Sequence, residues 1–300
     1  MRIHNHSSGF GSESNTSNKM YFAFVITLIF FFVEIIGGIV SNSLALIADA
    51  GHMLQDIISL GVASFAMIIA QRPRNKTHTF GFKRAEVLAA FVNGLSLVVL
   101  SILILLEAFQ RINEEYSIDL ELMLVVALIG LGINLIVLFS LSRDKNENIN
   151  IKGAFLHVLG DTLGSIGAIV ASILIFLTGF VIFDVLVSLL ITGLILISAY
   201  NLLKDSGKIL MESTPGNFDL HSIEKEIINV DSNILAIHDT HIWSTSLNHY
   251  NFSCHVIVST EMEPCKLIDK VNDMLTKNYD IHHCTIQIEH DNAILECGSC

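Results

Sequence analysis

The sequence has few charged residues, few prolines and no excess of positive charge. Charged residues make up 15% of its 300 positions, whereas a typical soluble domain has about 25%. Three prolines are present, and 17 basic residues face 29 acidic ones, a net charge of −12. This composition argues against an ordinary soluble enzyme. It also argues against nucleic-acid binding, which needs a surface that neutralises phosphates.

Apolar residues are abundant, at 52% of the chain, and the mean hydropathy is +0.60. Such a composition excludes a disordered chain and indicates a membrane protein. A helix needs roughly 20 apolar residues to cross a bilayer, and six stretches qualify: about 21–40, 44–70, 87–106, 122–142, 153–177 and 185–203. These stretches predict an all-α six-helix transmembrane bundle, which we assign to residues 20–204.

The basic residues of the short loops predict the orientation of the six spans. Eight of them lie in the loops after the second and fourth spans: Arg72, Arg74, Lys76, Lys83, Arg84, Arg143, Lys145 and Lys152. The loops on the opposite side contain only Arg111. Because basic loops stay in the cytoplasm, we expect both termini to be cytoplasmic.

The part of the chain that follows the spans is acidic and contains every cysteine. From residue 205 onward there are 15 acidic and 5 basic residues, a net charge of −10, whereas residues 1–204 have 14 and 12, a net charge of −2. The odd number of cysteines suits a reducing compartment. They are Cys254, Cys265, Cys284, Cys297 and Cys300.

The same region predicts a small α+β domain of ferredoxin-like type. Periodicity suggests the order αββαβ, with helices at about 219–229 and 264–277 and strands at about 234–244, 250–259 and 281–289. We assign residues 218–290 to this cytoplasmic domain. The predicted flanking segments are a disordered cytoplasmic N-terminus at 1–19, a linker at 205–217 and a cysteine-containing tail at 291–300.

Two of the predicted spans contain the pattern His-x-x-x-Asp. The pairs are His52 with Asp56 and His157 with Asp161. Four residues turn a helix by about 400°, so each pair lies on one helix face, one turn apart. Ionisable residues inside membrane spans are costly and usually mark a functional site.

Two readings of these pairs are open from the residues alone. Each pair could only pack helices through hydrogen bonds. Together, however, two imidazoles and two carboxylates form a tetrahedral ligand set suited to Zn²⁺, and the repeated spacing favours this metal site. Because histidine binds metal only when deprotonated, such a site can exchange a metal ion for protons.

Other polar residues have weaker claims. Asp49 lies on the same helix stripe as Asp56 and is expected to support the ligands or line the pathway. Glu34, Asn93 and Asn134 either line the pathway or lock helices together by hydrogen bonds. At the chain ends, four residues offer a Cys2His2 zinc site, unless the cysteines are a free reduced dithiol: His4, His6, Cys297 and Cys300.

These motifs resemble the cation diffusion facilitator family, in the branch of bacterial cobalt–zinc–cadmium resistance exporters and animal zinc transporters. The similar segments are SNSLALIADAGHMLQD at 41–56, TFGFKRAE at 79–86, GAFLHVLGD at 153–161 and HDTHIW at 238–243. The resemblance covers about residues 20–290.

The resemblance implies a homodimer that exports Zn²⁺, or Cd²⁺ and Co²⁺, from the cytosol in exchange for H⁺ by alternating access. It implies that the transport ligands are His52, Asp56, His157 and Asp161. It also implies a dimerising cytoplasmic domain with regulatory zinc at His238, His255, His283 and Glu289. The short termini suggest a bacterial plasma membrane.

Two other functions compete with transport. A zinc-dependent intramembrane hydrolase would need an open metal position for water, and the chain has no His-Glu-x-x-His motif. A membrane zinc sensor without flux would leave the ligands inside the spans without a purpose. We therefore expect a transporter rather than an enzyme, with metal ions, protons and the lipid bilayer as its partners and no nucleic acid or organic cofactor.

Overall fold

The computed structural model describes residues 10–113, 116–142, 149–246, 249–259 and 263–290. Within these ranges, six long helices precede a small domain. The helices are α1 (Phe10–Ser41), α2 (Leu44–Ala70), α3 (Arg84–Asn113), α4 (Leu120–Ser142), α5 (Ile149–Thr178) and α6 (Ile182–Leu210). Each contains a stretch long and apolar enough to cross a membrane, which confirms the six-helix prediction.

Several helices are longer than the apolar runs that predicted them. The helix α1 begins at Phe10, so residues 10–19 are helical and their predicted disorder is wrong. Likewise, α6 continues to Leu210, so the first part of the predicted linker at 205–217 is helical. A helix that is already nucleated extends at little cost, and hydropathy does not register its polar ends.

The chain forms two compact units. One comprises residues up to 60 together with 95–199, and the other comprises 61–94 together with the chain from 200 onward. In the first unit, the buried core consists of large apolar side chains such as Phe30, Leu46 and Met123. Many other apolar side chains of its helices are exposed, as expected for surfaces that face lipid.

Small and polar residues hold α1, α4 and α5 together in the first unit. Gly130 of α4 lies against the Phe30 ring of α1, where an added Cβ atom would be 2.5 Å from Phe30 Cζ. The side-chain amide of Asn134 on α4 donates a 3.3 Å hydrogen bond to Ser165 Oγ on α5. Such close approaches and interhelical hydrogen bonds are typical of packing inside membranes.

The N-terminus of α2 is capped by a carboxylate from α6. Asp184 is fully buried and accepts hydrogen bonds from the Ser43 hydroxyl at 2.6 Å and from the backbone N–H groups of Leu44 at 2.7 Å and Ala45 at 3.1 Å. These donors have no partner within their own helix, and a negative charge is favourable at this end of the helix dipole. The contact therefore fixes where α2 begins.

The small domain lies in the second unit and has the predicted αββαβ order. Its elements are α7 (Leu220–Ile228), β1 (Ile234–Ser246), β2 (His249–Val258), α8 (Pro264–Tyr279) and β3 (His283–His290). The sheet has the order β1-β2-β3, with β2 antiparallel to β1 and parallel to β3. The parallel pair requires a crossover, which α8 supplies.

The core of this domain lies between the sheet and its helices. One stripe of α8 is fully buried, at Leu267, Val271 and Leu275, and it belongs to the same cluster as Phe252 of β2. Each such side chain contributes about 1.5–3 kcal/mol through burial. Cys254 belongs to the same core, and its burial raises the pKa of its thiol to about 12. This cysteine is therefore a packing residue and not a reactive one.

We predict that Asp184→Ala destabilises the first unit. The substitution leaves three buried donors at the start of α2 without their acceptor, at a cost of about 2 kcal/mol. Thermal unfolding of the purified protein in detergent micelles measures the effect.

Ser188→Ala is the matched control, because Ser188 is also buried on α6 and its hydroxyl donates a hydrogen bond to the Val185 carbonyl in its own helix. Equal unfolding temperatures for the two variants would contradict the capping role of Asp184.

Candidate functional site

Four side chains from α2 and α5 converge in the first unit. Asp56 Oδ2 lies 3.7 Å from His52 Nε2 and 3.4 Å from His157 Nε2. Asp161 Oδ2 lies 3.6 Å from His157 Nε2. Ligand atoms of His52, His157 and Asp161 are also all within 4.8 Å of one another. The structure thus brings together the two His-x-x-x-Asp pairs that the sequence singled out.

The spacing of these atoms matches a tetrahedral metal ion. Zinc binds nitrogen and oxygen at about 2.0–2.2 Å, which places the ligands of a tetrahedron roughly 3.3–3.6 Å apart. The three distances, 3.4, 3.6 and 3.7 Å, lie at or just above this range. Asp56 Oδ2 and Asp161 Oδ2 are buried without a hydrogen bond to any described residue. Unpaired buried carboxylate oxygens are costly, and a bound cation or proton would compensate them.

The residues around this cluster are polar and tightly packed. Asp49 is 5% exposed, and Gly164 of α5 makes room for its carboxylate, since an added Cβ atom would lie 2.9 Å from Asp49 Oδ1. Glu34 of α1 is 1% exposed and lies close enough to Asp49 and Asp161 for their charges to interact. The carboxyl groups of Glu34 and Asp49 therefore border the cluster, where they could support its side chains.

The two asparagines singled out by the sequence belong to different units. Asn134 bonds to Ser165 and therefore locks α4 to α5. Asn93 lies on α3 in the second unit. A residue that sequence reasoning missed is Gln55, beside Asp56, whose amide donates a 2.5 Å hydrogen bond to Ser96 Oγ of α3. The sequence signal for Gln55 is a polar residue within an otherwise apolar span.

A second cluster lies on the sheet of the small domain. His238 and His255 are directly opposite each other on β1 and β2, with their ring centroids 5.1 Å apart. Glu289 of β3 reaches both imidazoles, with Oε2 3.1 Å from His238 Nε2 and Oε1 3.0 Å from His255 Nδ1. Desolvation opposes ionisation of Glu289, but the Gln287 amide and the two imidazoles outweigh it and lower its pKa.

Two further side chains extend this cluster. Asp239 Oδ2 lies 3.5 Å from His255 Nε2, and Asp239 Oδ1 lies 3.0 Å from His241 Nε2. Asp239 has a left-handed φ of 49°, and the pairing register of β1 shifts between His238 and His241. Such an irregularity re-aims side chains that strict alternation would place elsewhere. Asp239 and His241 both lie in the HDTHIW segment. The alternation of a regular strand does not predict that Asp239 reaches His255.

His283 does not join this cluster within the chain. It begins β3 opposite Asn251, six residues before Glu289, which at about 3.3 Å per residue is roughly 20 Å along the strand. Its ring instead contacts the Phe80 ring, with a centroid distance of 5.9 Å. The sequence correctly predicts that His283 and Glu289 lie on one strand, but they are at opposite ends of it.

The Cys2His2 site predicted for the chain ends lies outside the described residues. Its predicted ligands are His4, His6, Cys297 and Cys300.

Comparison with known proteins covers nearly the whole chain. Residues 20–211 match the family model of the cation efflux transmembrane domain, and residues 215–291 match that of the cation efflux protein cytoplasmic domain. The cadmium, cobalt and zinc/H(+)-K(+) antiporter of Bacillus subtilis (strain 168) is 41% identical, over 97% of this chain and 95% of the relative.

Two other bacterial relatives are similar over comparable lengths. The zinc transporter ZitB of Escherichia coli (strain K12) is 38% identical over 96% of this chain and 92% of the relative. The metal cation efflux system protein CzcD of Cupriavidus metallidurans is 38% identical over 95% of this chain and 89% of the relative.

We predict that Asp239→Ala weakens Zn²⁺ binding at the sheet cluster about tenfold, the usual order for losing a carboxylate that orients a histidine ligand. The measurement is competition with a chelator on the full chain carrying Asp161→Ala, which removes one carboxylate from the cluster between α2 and α5.

Asp273→Ala serves as the matched control, since Asp273 is exposed and its ion pair, among the described residues, is with Lys277 of its own helix. An affinity unchanged by Asp239→Ala would show that Asp239 has no part in metal binding.

Proposed function

The chain belongs to the cation efflux family, and from this premise we propose that it is a secondary transporter that exports Zn²⁺ from the cytosol in exchange for protons. Cd²⁺ and Co²⁺ are further substrates of the proposed transporter, because two Bacillus relatives with these metals in their names are 41% and 40% identical over 97% of this chain. The transported ion binds between α2 and α5.

One observation carries this proposal. Asp56 Oδ2 lies within 3.7 Å of the Nε2 atoms of both His52 and His157, and Asp161 Oδ2 lies 3.6 Å from His157 Nε2, all within helices of membrane-spanning length. These contacts support metal binding by the four side chains. This mixed nitrogen and oxygen set suits zinc, whereas oxygen ligands alone suit magnesium, calcium or manganese.

Proton exchange follows from the same four groups. An imidazole must be neutral to bind metal, and the carboxylates must be ionised. Without metal, two carboxylates in a medium of low dielectric constant favour proton binding. Metal entry from one side therefore displaces protons, and metal release on the other side allows them to return. The differential binding of metal and protons couples the two flows.

The ligand number favours transport over hydrolysis. A catalytic zinc normally has three protein ligands and an open position for water. Four protein ligands fill the tetrahedron, so the bound metal has no position at which to activate water. Enzymatic activity is accordingly not part of the proposed function.

The sheet cluster is proposed to bind regulatory zinc. Its ligands would be His238, His255 and Glu289, with Asp239 and His241 beside them. All of them lie in the region that matches the cytoplasmic domain of cation efflux proteins. A homodimer in a bacterial plasma membrane, with both termini in the cytoplasm, fits this family and the basic residues of the loops after α2 and α4.

We predict that Asp161→Ala abolishes zinc flux, with a rate reduced more than about 100-fold, because the metal loses one of its four ligands. Proteoliposomes that contain a zinc-sensitive dye, under an imposed pH gradient, measure the flux.

Ser172→Ala is the matched control, since Ser172 is a buried residue of α5 whose hydroxyl donates a hydrogen bond to the Ala168 carbonyl of the same helix. Wild-type flux in Asp161→Ala would refute the assignment of the site. Zinc binding by the wild type without flux, under either direction of the pH gradient, would instead identify a sensor.

A further inference from the structure

The second unit contains a cavity that borders the sheet cluster at His241 but is lined by none of the proposed zinc ligands His238, His255 and Glu289. It has a volume of about 900 Å³, within the range of about 300–1,000 Å³ that is usual for small-ligand sites. Its walls come from the loop between α2 and α3 with the start of α3, the end of α6 with the segment that follows it, and β1 with one residue of β2. Since α2 ends at Ala70 and α3 begins at Arg84, the loop wall lies where two membrane-length helices end.

The loop that forms this wall is the most basic segment of an acidic protein. Residues 71–84 contain five basic residues and no acidic one, in a chain of net charge −12. Arg84 is already paired with Glu212, which also lines the cavity. Lys83 lines the cavity too, and among the described residues it has no ion pair. One uncompensated positive charge therefore remains at the cavity, with Glu86 of α3 as the next acidic residue along the chain.

The loop has a defined backbone conformation. Asn75 Oδ1 accepts hydrogen bonds from the backbone N–H of Thr77 at 3.0 Å and of His78 at 2.7 Å. Gly81 has a φ of +79°, which favours glycine, and its N–H bonds to the His78 carbonyl at 3.0 Å. The His78 and Phe82 rings stack at 4.3 Å. Lys83 follows directly on this ordered turn.

The lining is polar in one part and apolar in another. Hydroxyl groups come from both sides, including Thr79 of the loop and Thr240 of β1, whose Oγ1 has no hydrogen-bond partner among the described residues. Apolar lining comes from Leu88 near the start of α3, Leu210 at the end of α6, and Trp243. A ligand that fits this surface combines an anionic, hydrogen-bonding group with an apolar part.

We propose that this cavity binds the phosphate headgroup of an anionic phospholipid. Lys83 neutralises the phosphate, the threonine hydroxyls donate hydrogen bonds to it, and the adjoining glycerol and acyl carbons contact Leu88 and Leu210. Basic pockets at the ends of transmembrane helices bind such headgroups, and aromatic residues are enriched at this depth. Inorganic phosphate shares the anionic group but lacks the apolar part. The proposal is independent of metal transport.

Lipid titration of the purified full chain in a neutral detergent, followed by native mass spectrometry, tests the proposal. We expect phosphatidylglycerol to bind more tightly than phosphatidylcholine. Lys83→Gln should lower the apparent affinity for phosphatidylglycerol about fivefold, the usual effect of one basic residue at an anionic lipid surface. Lys83→Arg should restore most of it, because the charge is retained.

Lys266→Gln is the matched control, since Lys266 is an exposed lysine of α8 that pairs with Glu263 away from the cavity. Equal phosphatidylglycerol affinity in wild type and Lys83→Gln would overturn the proposal, as would an equal loss in Lys83→Arg. Binding of inorganic phosphate with the same dependence on Lys83, without preference for phosphatidylglycerol, would make the cavity a free-anion site and overturn the lipid assignment.

Discussion

The structure depends on the cost of placing carboxylates inside a membrane. Asp56 and Asp161 point toward the same small volume as two imidazoles, and each leaves one buried oxygen without a hydrogen bond among the described residues. Glu34 and Asp49 add two further buried carboxyl groups beside them. Such an arrangement is favourable only when a cation or protons occupy it. The cluster therefore needs either a metal cation or protons. Alternation between the two is the physical basis of the proposed exchange.

The packing around the cluster helps to set the spacing between the side chains of α2 and α5 that form it. Asp184 fixes the beginning of α2, and Gly164 admits the Asp49 carboxylate against α5. The Asn134 amide holds α5 against α4. A tetrahedral ion tolerates errors of only a few tenths of an ångström in ligand spacing. In the proposed transporter, these contacts help to position the four proposed ligands.

Much of this arrangement was predictable from the sequence, because it depends on local periodicity. The membrane helices follow from apolar runs, and the two His-x-x-x-Asp pairs follow from the helical repeat. The features that were missed depend on contacts between distant residues or on irregular backbone. Asp184 caps a helix 140 residues away along the chain, and hydropathy cannot identify such a partner. The irregularity at Asp239 breaks the alternation on which strand prediction relies, and the position of His283 could only be judged once the strand pairing was known.

Zinc K-edge X-ray absorption tests the central claim most directly. The sample is the full chain with one equivalent of zinc and with substitutions His238→Ala, His255→Ala, Cys297→Ser and Cys300→Ser, so that the cluster between α2 and α5 is the intended site. We expect the zinc ion to have four nitrogen or oxygen neighbours at about 2.0 Å, two of them from imidazoles. We expect this coordination shell to be lost after Asp161→Ala. Sulfur neighbours, a six-coordinate ion, or an unchanged spectrum after Asp161→Ala would contradict it.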